Sequence, residues 1–148
     1  MAEGTKPQNM AKPVGSYIHV KKVSCKELIF VAGQVPVDQA GNVVGVDPTE
    51  QGVNATVRNR ATVNVEVQVR QTMLNVKAAL EAAGASFKNL VRLDTYVVAT
   101  AMNEYRRVGV VAKHEMLGGV RTPGATVFVA GLMIPEAMIE ISAIAAIE

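Results

Sequence analysis

The hydrophobic positions follow two periods along the chain, and the switches between them predict its elements. Residues 17–22 read as a short strand, and Leu28-Ile29-Phe30-Val31-Ala32 as a second, bounded by Gly33; their closeness predicts a hairpin. Residues 34–48 carry Pro36, Gly41, Asn42, Gly45 and Pro48, which is turn chemistry, with Asn42-Val43-Val44 as a brief strand inside it. From Val65 the period becomes helical. Val69, Met73, Val76, Leu80 and Ala83 recur every three or four residues, Arg70, Lys77 and Glu81 stand between them, and Gly84 sits where a C-terminal cap belongs. Residues 90–98 return to alternation, with Val91, Leu93, Thr95 and Val97 on one side and Arg92, Asp94 and Tyr96 on the other. Asn103 then predicts an N-cap for a second helix whose stripe is Tyr105, Val108, Ala112 and Met116, ended by Gly118-Gly119. Strands over 125–130 and 138–146 close the chain, parted by Leu132-Met133-Ile134-Pro135.

This order, β-β-α-β-α-β-β, predicts an α/β (α+β) fold. Right-handed crossovers place both helices on one face of a mixed sheet. No third helix is available for the opposite face, so a homo-oligomer that packs sheet faces together is the simple expectation. One stretch resists the scheme. Val53, Ala55, Val57, Val63, Val65 and Val67 alternate with polar residues around Arg58 and Arg60, which fits either an added hairpin or an irregular start of the first helix.

Composition narrows the picture. A chain of 148 residues makes one domain, read as a flexible arm over 1–14 and a single domain over 15–148. Hydrophobic residues make up 49% and charged residues 19%, below the roughly 25% typical of soluble domains, which again points to surface hidden between subunits. The net charge of +2 is scattered and aromatics are 4%, so no nucleic-acid footprint is expected. The single Cys25 allows no internal disulfide and fits a reducing cytosol, hence a cytoplasmic protein. The polar opening lacks the apolar stretch of a signal peptide, and no run approaches the roughly 20 apolar residues of a membrane helix.

Candidate chemistry is sparse. His19 and His114 are the two histidines and make no ligand pair, so neither a metal nor a cofactor is expected. Gly118-Gly119 follows a helix, whereas phosphate cradles precede one. No Gly-x-Ser-x-Gly elbow is present. Glu140 stands out, because it interrupts the apolar run Met138-Ile139-Glu140-Ile141. Its carboxylate either faces solvent by alternation or lies in a cleft suited to acid/base work. Tyr17 beside Gly15 reads as packing or a pocket wall. Arg121, ahead of Thr122-Pro123-Gly124, reads as a solvated turn residue or a carboxylate binder.

Together these segments resemble the RidA/YjgF family of small proteins that hydrolyse reactive enamines and imines. The resemblance rests on Gly15-Ser16-Tyr17, on the run from Leu28 through Gly33 to Pro36, on the run from Val69 to Ala85, and on Val127 to Leu132 followed by Ile139 to Ala145. It implies a chorismate-mutase-like fold and a homotrimer with a central barrel and clefts at the subunit seams. It further implies Glu140 as the water-activating carboxylate, Tyr17 from a neighbouring subunit as a cleft wall, and Gly33 beside the substrate. The backbone at Ala125 would help to orient that substrate. No cofactor is implied. Four departures accompany it. The family's substrate-binding arginine falls at Gly124, leaving Arg121, Arg58 or Arg60 as substitutes; Ala32 and Ile18 replace serines; a helix asparagine falls near Gly109; and an insertion spans about 52–66. The resemblance thus implies hydrolytic deamination of an imine or enamine different from the archetype's, or else a non-catalytic metabolite-binding relative.

Overall fold

Two short strands open the chain: β1 (Gly4–Thr5) pairs antiparallel with β2 (Val20–Lys21). The remaining elements are β3 (Glu27–Gln34), α1 (Val65–Ala82), β4 (Leu90–Val98), α2 (Met102–Glu104), a π-helical turn (Tyr105–Gly109), α3 (Val110–Leu117), β5 (Thr126–Val129) and β6 (Ile139–Ile147). The structure is a computed structural model, and it describes residues 4–5, 7–46 and 63–148. Arg58, Arg60 and residues 52–62 of the predicted insertion lie outside the described residues. Residues 63–66 lead into α1 and its first turn.

β3, β6, β4 and β5 form one mixed sheet in that order; β4 and β5 run parallel and the other pairs antiparallel. Helix α1 lies across β3 and β6 and also packs on α3, so the helices share one face, as the element order predicts. Its buried face is Val65, Gln68, Val69, Thr72, Met73, Val76 and Leu80, the three-and-four spacing of an amphipathic helix. Asn64 Oδ1 accepts the Val67 N–H at 3.0 Å, and Gly84 beyond the helix end takes the left-handed conformation with φ +74°. The core closes with Leu90, Val97, Ile139 and Ile141 from the strands, all fully buried. Each such side chain contributes about 1.5–3 kcal/mol by leaving water.

The opposite face of the sheet stays open. Ile139, Ile141, Ala143 and Ala145 point toward the helices, so Glu140, Ser142 and Ile144 point away. Phe30 stands opposite Ile144, while Tyr96 stands between Glu140 on one neighbouring strand and Val127 on the other. Phe30 is 73% exposed and Leu28 52%, a large apolar exposure for strand residues.

Several local expectations are corrected. β2 pairs with β1 rather than forming a hairpin with β3, because the polar residues Lys22, Ser24 and Lys26 carry the chain away and Gly4–Thr5 offers a free edge. Part of the predicted arm is therefore paired. Asn103 caps nothing: α2 begins one residue before it, its N-cap Ala101 makes no side-chain bond, and Asn103 is exposed inside the helix. The π turn then shifts the stripe, so Tyr105, Gly109, Ala112 and Leu117 are the buried positions rather than Val108 and Met116. Val91 leaves the core face of β4 because the pairing with β6 slips between Leu90 and Arg92.

Candidate functional site

The bend in β3 sets the site. Val31 pairs with Ala143 and Gln34 with Ile141, so three steps on β3 match two on β6, and the surplus residue makes a bulge at Ala32-Gly33. The bulge brings Gly33 onto Glu140. A Cβ at Gly33 would lie 1.9 Å from Glu140 Oε1 and 2.8 Å from its Cδ, so the carboxylate rests on bare backbone that only glycine provides. Glu140 is half-buried, and among the described residues no hydrogen bond or ion pair engages its carboxylate. Ala32 is exposed beside it, its carbonyl accepting from Gln34 Nε2 at 3.2 Å.

Helix α1 fixes the chain on both sides of this contact. Gln68 is fully buried; its Nε2 donates to Val44 O at 3.1 Å and to Glu136 O at 2.9 Å, and its Oε1 accepts the Met138 N–H at 2.8 Å. Asn75 Nδ2 donates to Val35 O and Val37 O, both at 2.9 Å, and Gln71 Nε2 donates to Asn75 Oδ1. The loop after Gly33 and the loop before Glu140 are thus tied to one helix. The sequence reading missed Gln68 and Asn75. The signal was available for Gln68, which falls in phase with Val65, Val69 and Thr72 on the buried stripe.

Gly124 lies at the other edge of the sheet. A Cβ there would stand 1.8 Å from the Leu93 carbonyl oxygen and 2.7 Å from its carbon, so this backbone holds no side chain at the position where the resemblance expects arginine. Ala125 is fully engaged: its N–H donates to Asp94 Oδ1 at 2.9 Å and its carbonyl accepts from Thr95 N at 2.8 Å. Asp94 also accepts from Arg92 Nε at 2.6 Å.

Tyr17, Gly124 and Ala125 line a cavity of about 390 Å³ on the helix side of the sheet, together with residues of α3 and the π turn. Glu140 is on the other face. The structure therefore brings Gly33 onto Glu140, with Ala32 next in the bulge, and separately gathers Tyr17, Gly124 and Ala125 around a cavity whose lining does not include Glu140. Arg121 is exposed and lines a neighbouring hollow with Tyr17 and His19, so it is not the cation beside Glu140 in its own chain. His19 Nε2 lies 2.8 Å from Ala11 O, and its ring meets Tyr17 edge-on. Burial, with repulsion from Lys113 and Arg121 added, holds His114 below its ordinary pKa. Among the described residues no three His, Cys, Asp or Glu side chains group to hold a metal, and no helix is long and apolar enough to cross a membrane.

Comparison with known proteins places these features in a family. The family model described as Endoribonuclease L-PSP matches residues 57–147. A RutC family protein of Pyrococcus horikoshii is 28% identical over 139 residues, covering 93% of this chain and 92% of its own. A structure of a Rid family protein of unknown function from Yersinia pestis superposes with a TM-score of 0.75 at 26% identity, covering 99% of this chain and 98% of that one. A Thermotoga maritima structure described as a candidate endoribonuclease gives a TM-score of 0.63 at 28% identity, over 100% and 99%.

Proposed function

The chain belongs to the Rid/YjgF family, the group described as Endoribonuclease L-PSP, and from that premise we propose that it hydrolyses a reactive enamine or imine at an inter-subunit cleft. The observation that carries this reading is the Glu140 carboxylate: unengaged by protein partners among the described residues, and laid on the Gly33 backbone on the open face of the sheet. The enamine tautomerises to an imine. Glu140 takes a proton from water as the new C–O bond forms at the imine carbon and gives it to the nitrogen, leaving a carbinolamine; it then carries the hydroxyl proton to that nitrogen, the C–N bond breaks, and ammonia leaves as the carbonyl forms. One water is consumed and one ammonia released. Ala32 and Gly33 shape the wall beside the reacting carbon, and no cofactor takes part.

Tyr17 enters from a second copy. Its position on the helix side, across the sheet from its own Glu140, favours a cleft shared between chains. The open apolar face around Phe30, Leu28 and Ile144 favours a trimer that buries it in a central barrel. Ala125, its polar backbone atoms already used, acts as a wall rather than as a hydrogen-bonding group. A cytoplasmic location suits the lone, exposed Cys25.

The test is ammonia release from freshly generated 2-aminoacrylate and from a bulkier enamine, with wild type and Glu140→Gln. Wild type should exceed the buffer control on at least one substrate, and Glu140→Gln should lose roughly 10²–10⁴-fold, the usual contribution of a general acid/base. If neither substrate turns over faster than buffer, the deaminase reading fails. A second reading, non-catalytic metabolite binding, is favoured by Gly124, where no arginine can anchor a substrate carboxylate. RNA cleavage, named in the family description, runs against the small net charge of +2 and the 4% aromatics. Nuclease activity unchanged by Glu140→Ala would mark a contaminant.

A further inference from the structure

Glu140 has a hydroxyl-bearing neighbour on its own face of the sheet. In the antiparallel pairing of β6 with β4, Tyr96 stands directly opposite Glu140. Directly opposed residues hold their Cβ atoms about 4.5–5.5 Å apart on the same side of a sheet. Both side chains therefore rise from the open face, where Tyr96 is 36% exposed. The glutamate leans away from it: the Gly33 backbone of β3 lies against its Cγ, Cδ and Oε1. Tyr96 sits on the opposite flank of β6, with Val127 of β5 beyond it. A small molecule seated above β6 thus meets the carboxylate on one side and the phenol on the other.

Hydrogen-bond donors are scarce on that face. An ionised carboxylate only accepts. Arg92 Nε is held by Asp94 Oδ2 at 2.6 Å, and Asp94 also takes the Ala125 N–H. Ser142, opposite Asp94, has a short side chain. Among the described residues the Tyr96 side chain makes no hydrogen bond and no ring contact. Its hydroxyl is the long, uncommitted donor next to Glu140.

We propose that Tyr96 is a second catalytic residue, whose O–H donates a hydrogen bond to the imine nitrogen while Glu140 works on water from the other side. This role rests on the deamination proposed for Glu140, which is what places a nitrogen there. No proton leaves Tyr96. As water adds and the C=N π pair moves onto nitrogen, the hydrogen bond stabilises the developing charge, as a preorganised donor does. Glu140 then supplies the proton that nitrogen takes up.

Steady-state ammonia release by the full-length protein, on the enamine that wild type turns over faster, tests this. Tyr96→Phe removes only the hydroxyl; kcat should fall roughly 10²-fold with KM within about 3-fold of wild type, the pattern of a contact made in the transition state. Ser142→Ala should match wild type, and sedimentation of Tyr96→Phe should be unchanged. Wild-type kcat in Tyr96→Phe overturns the role, as does a loss that falls on KM alone or comes with altered sedimentation. A loss in Ser142→Ala equal to that in Tyr96→Phe overturns it too, because the donor would then not be Tyr96. Wild type no faster than buffer ends the deamination at Glu140 itself, a failure separate from an active wild type with an equally active Tyr96→Phe.

Discussion

One added methyl group should damage this protein in two different ways at Gly33 and Gly124. At Gly33 the new carbon meets Glu140 Oε1 at 1.9 Å, and the atom it meets is the tip of a flexible side chain on an open face. The carboxylate must retreat by about 1.5 Å to reach ordinary contact, which costs roughly 1 kcal/mol in side-chain adjustment. For a chain near 150 residues that lowers Tm by about 2–4 °C. Turnover should suffer far more, since about 1 Å of misplacement at a reacting group can cost roughly 100-fold. At Gly124 the new carbon meets the Leu93 carbonyl at 1.8 Å, and that atom is β4 backbone, where the Leu93 and Thr95 N–H groups donate to the Pro123 and Ala125 carbonyls that lead into β5. Relief there means parting the strands, at about 3 kcal/mol or more, the upper end of overpacking, and a Tm drop of about 6–12 °C. Calorimetry and ammonia release on Gly33→Ala and Gly124→Ala, prepared side by side, read both quantities. If Gly33→Ala melts as low as Gly124→Ala, or keeps wild-type turnover, the glycine does not govern the carboxylate. The same clash means that Gly124→Arg should unfold β5 rather than restore an anchor.

Other outcomes follow from the same contacts. Gln68→Leu removes the hydrogen bonds to the Val44 and Glu136 carbonyls and leaves the buried Met138 N–H without its acceptor; at about 1–3 kcal/mol for a buried unpaired group, chemical denaturation should show a loss of at least about 1 kcal/mol. His114 has a folded pKa below its ordinary 6.5, so the unfolded chain takes up the proton first. Its contribution to stability is therefore complete above 6.5 and declines as pH falls through that value toward the folded pKa. The difference in Tm between pH 7.5 and 5 should shrink in His114→Gln. Phe30→Glu places a charge on the open sheet face, so if that face is buried in the proposed trimer, sedimentation velocity should show wild type as a trimer and the variant as the single chain.

How far the sequence could be read depended on what each feature requires. Periodicity placed α1 and β4 because their burial is one-sided and uninterrupted: Val69 to Leu80 face one core, and Leu93, Thr95 and Val97 the same core from the sheet. The resemblance picked out Gly33 and Glu140, and the structure gives their pairing a cause in the bulge. Why Gly124 is glycine was illegible, because the reason is a carbonyl thirty-one residues away in sequence, across a parallel pairing that no local pattern encodes. Gln68 was passed over because polar residues on a helix are usually read as solvent-facing, although its phase matched the buried stripe. The β2 pairing failed for the opposite reason: two residues of strand are too short to carry a period.

The π turn at Tyr105–Gly109 has a consequence for relatedness. A π turn holds one residue more per turn than an α-helix, so the rod from 102 to 117 is one residue longer in sequence than an unbroken α-helix of equal reach. A relative without the turn therefore falls out of register with this chain by one position somewhere in 105–109. Residues before and after that point can correspond in space while their spacing disagrees. Gly109 sits on this fault line, so the residue it matches elsewhere is decided by superposition and not by counting.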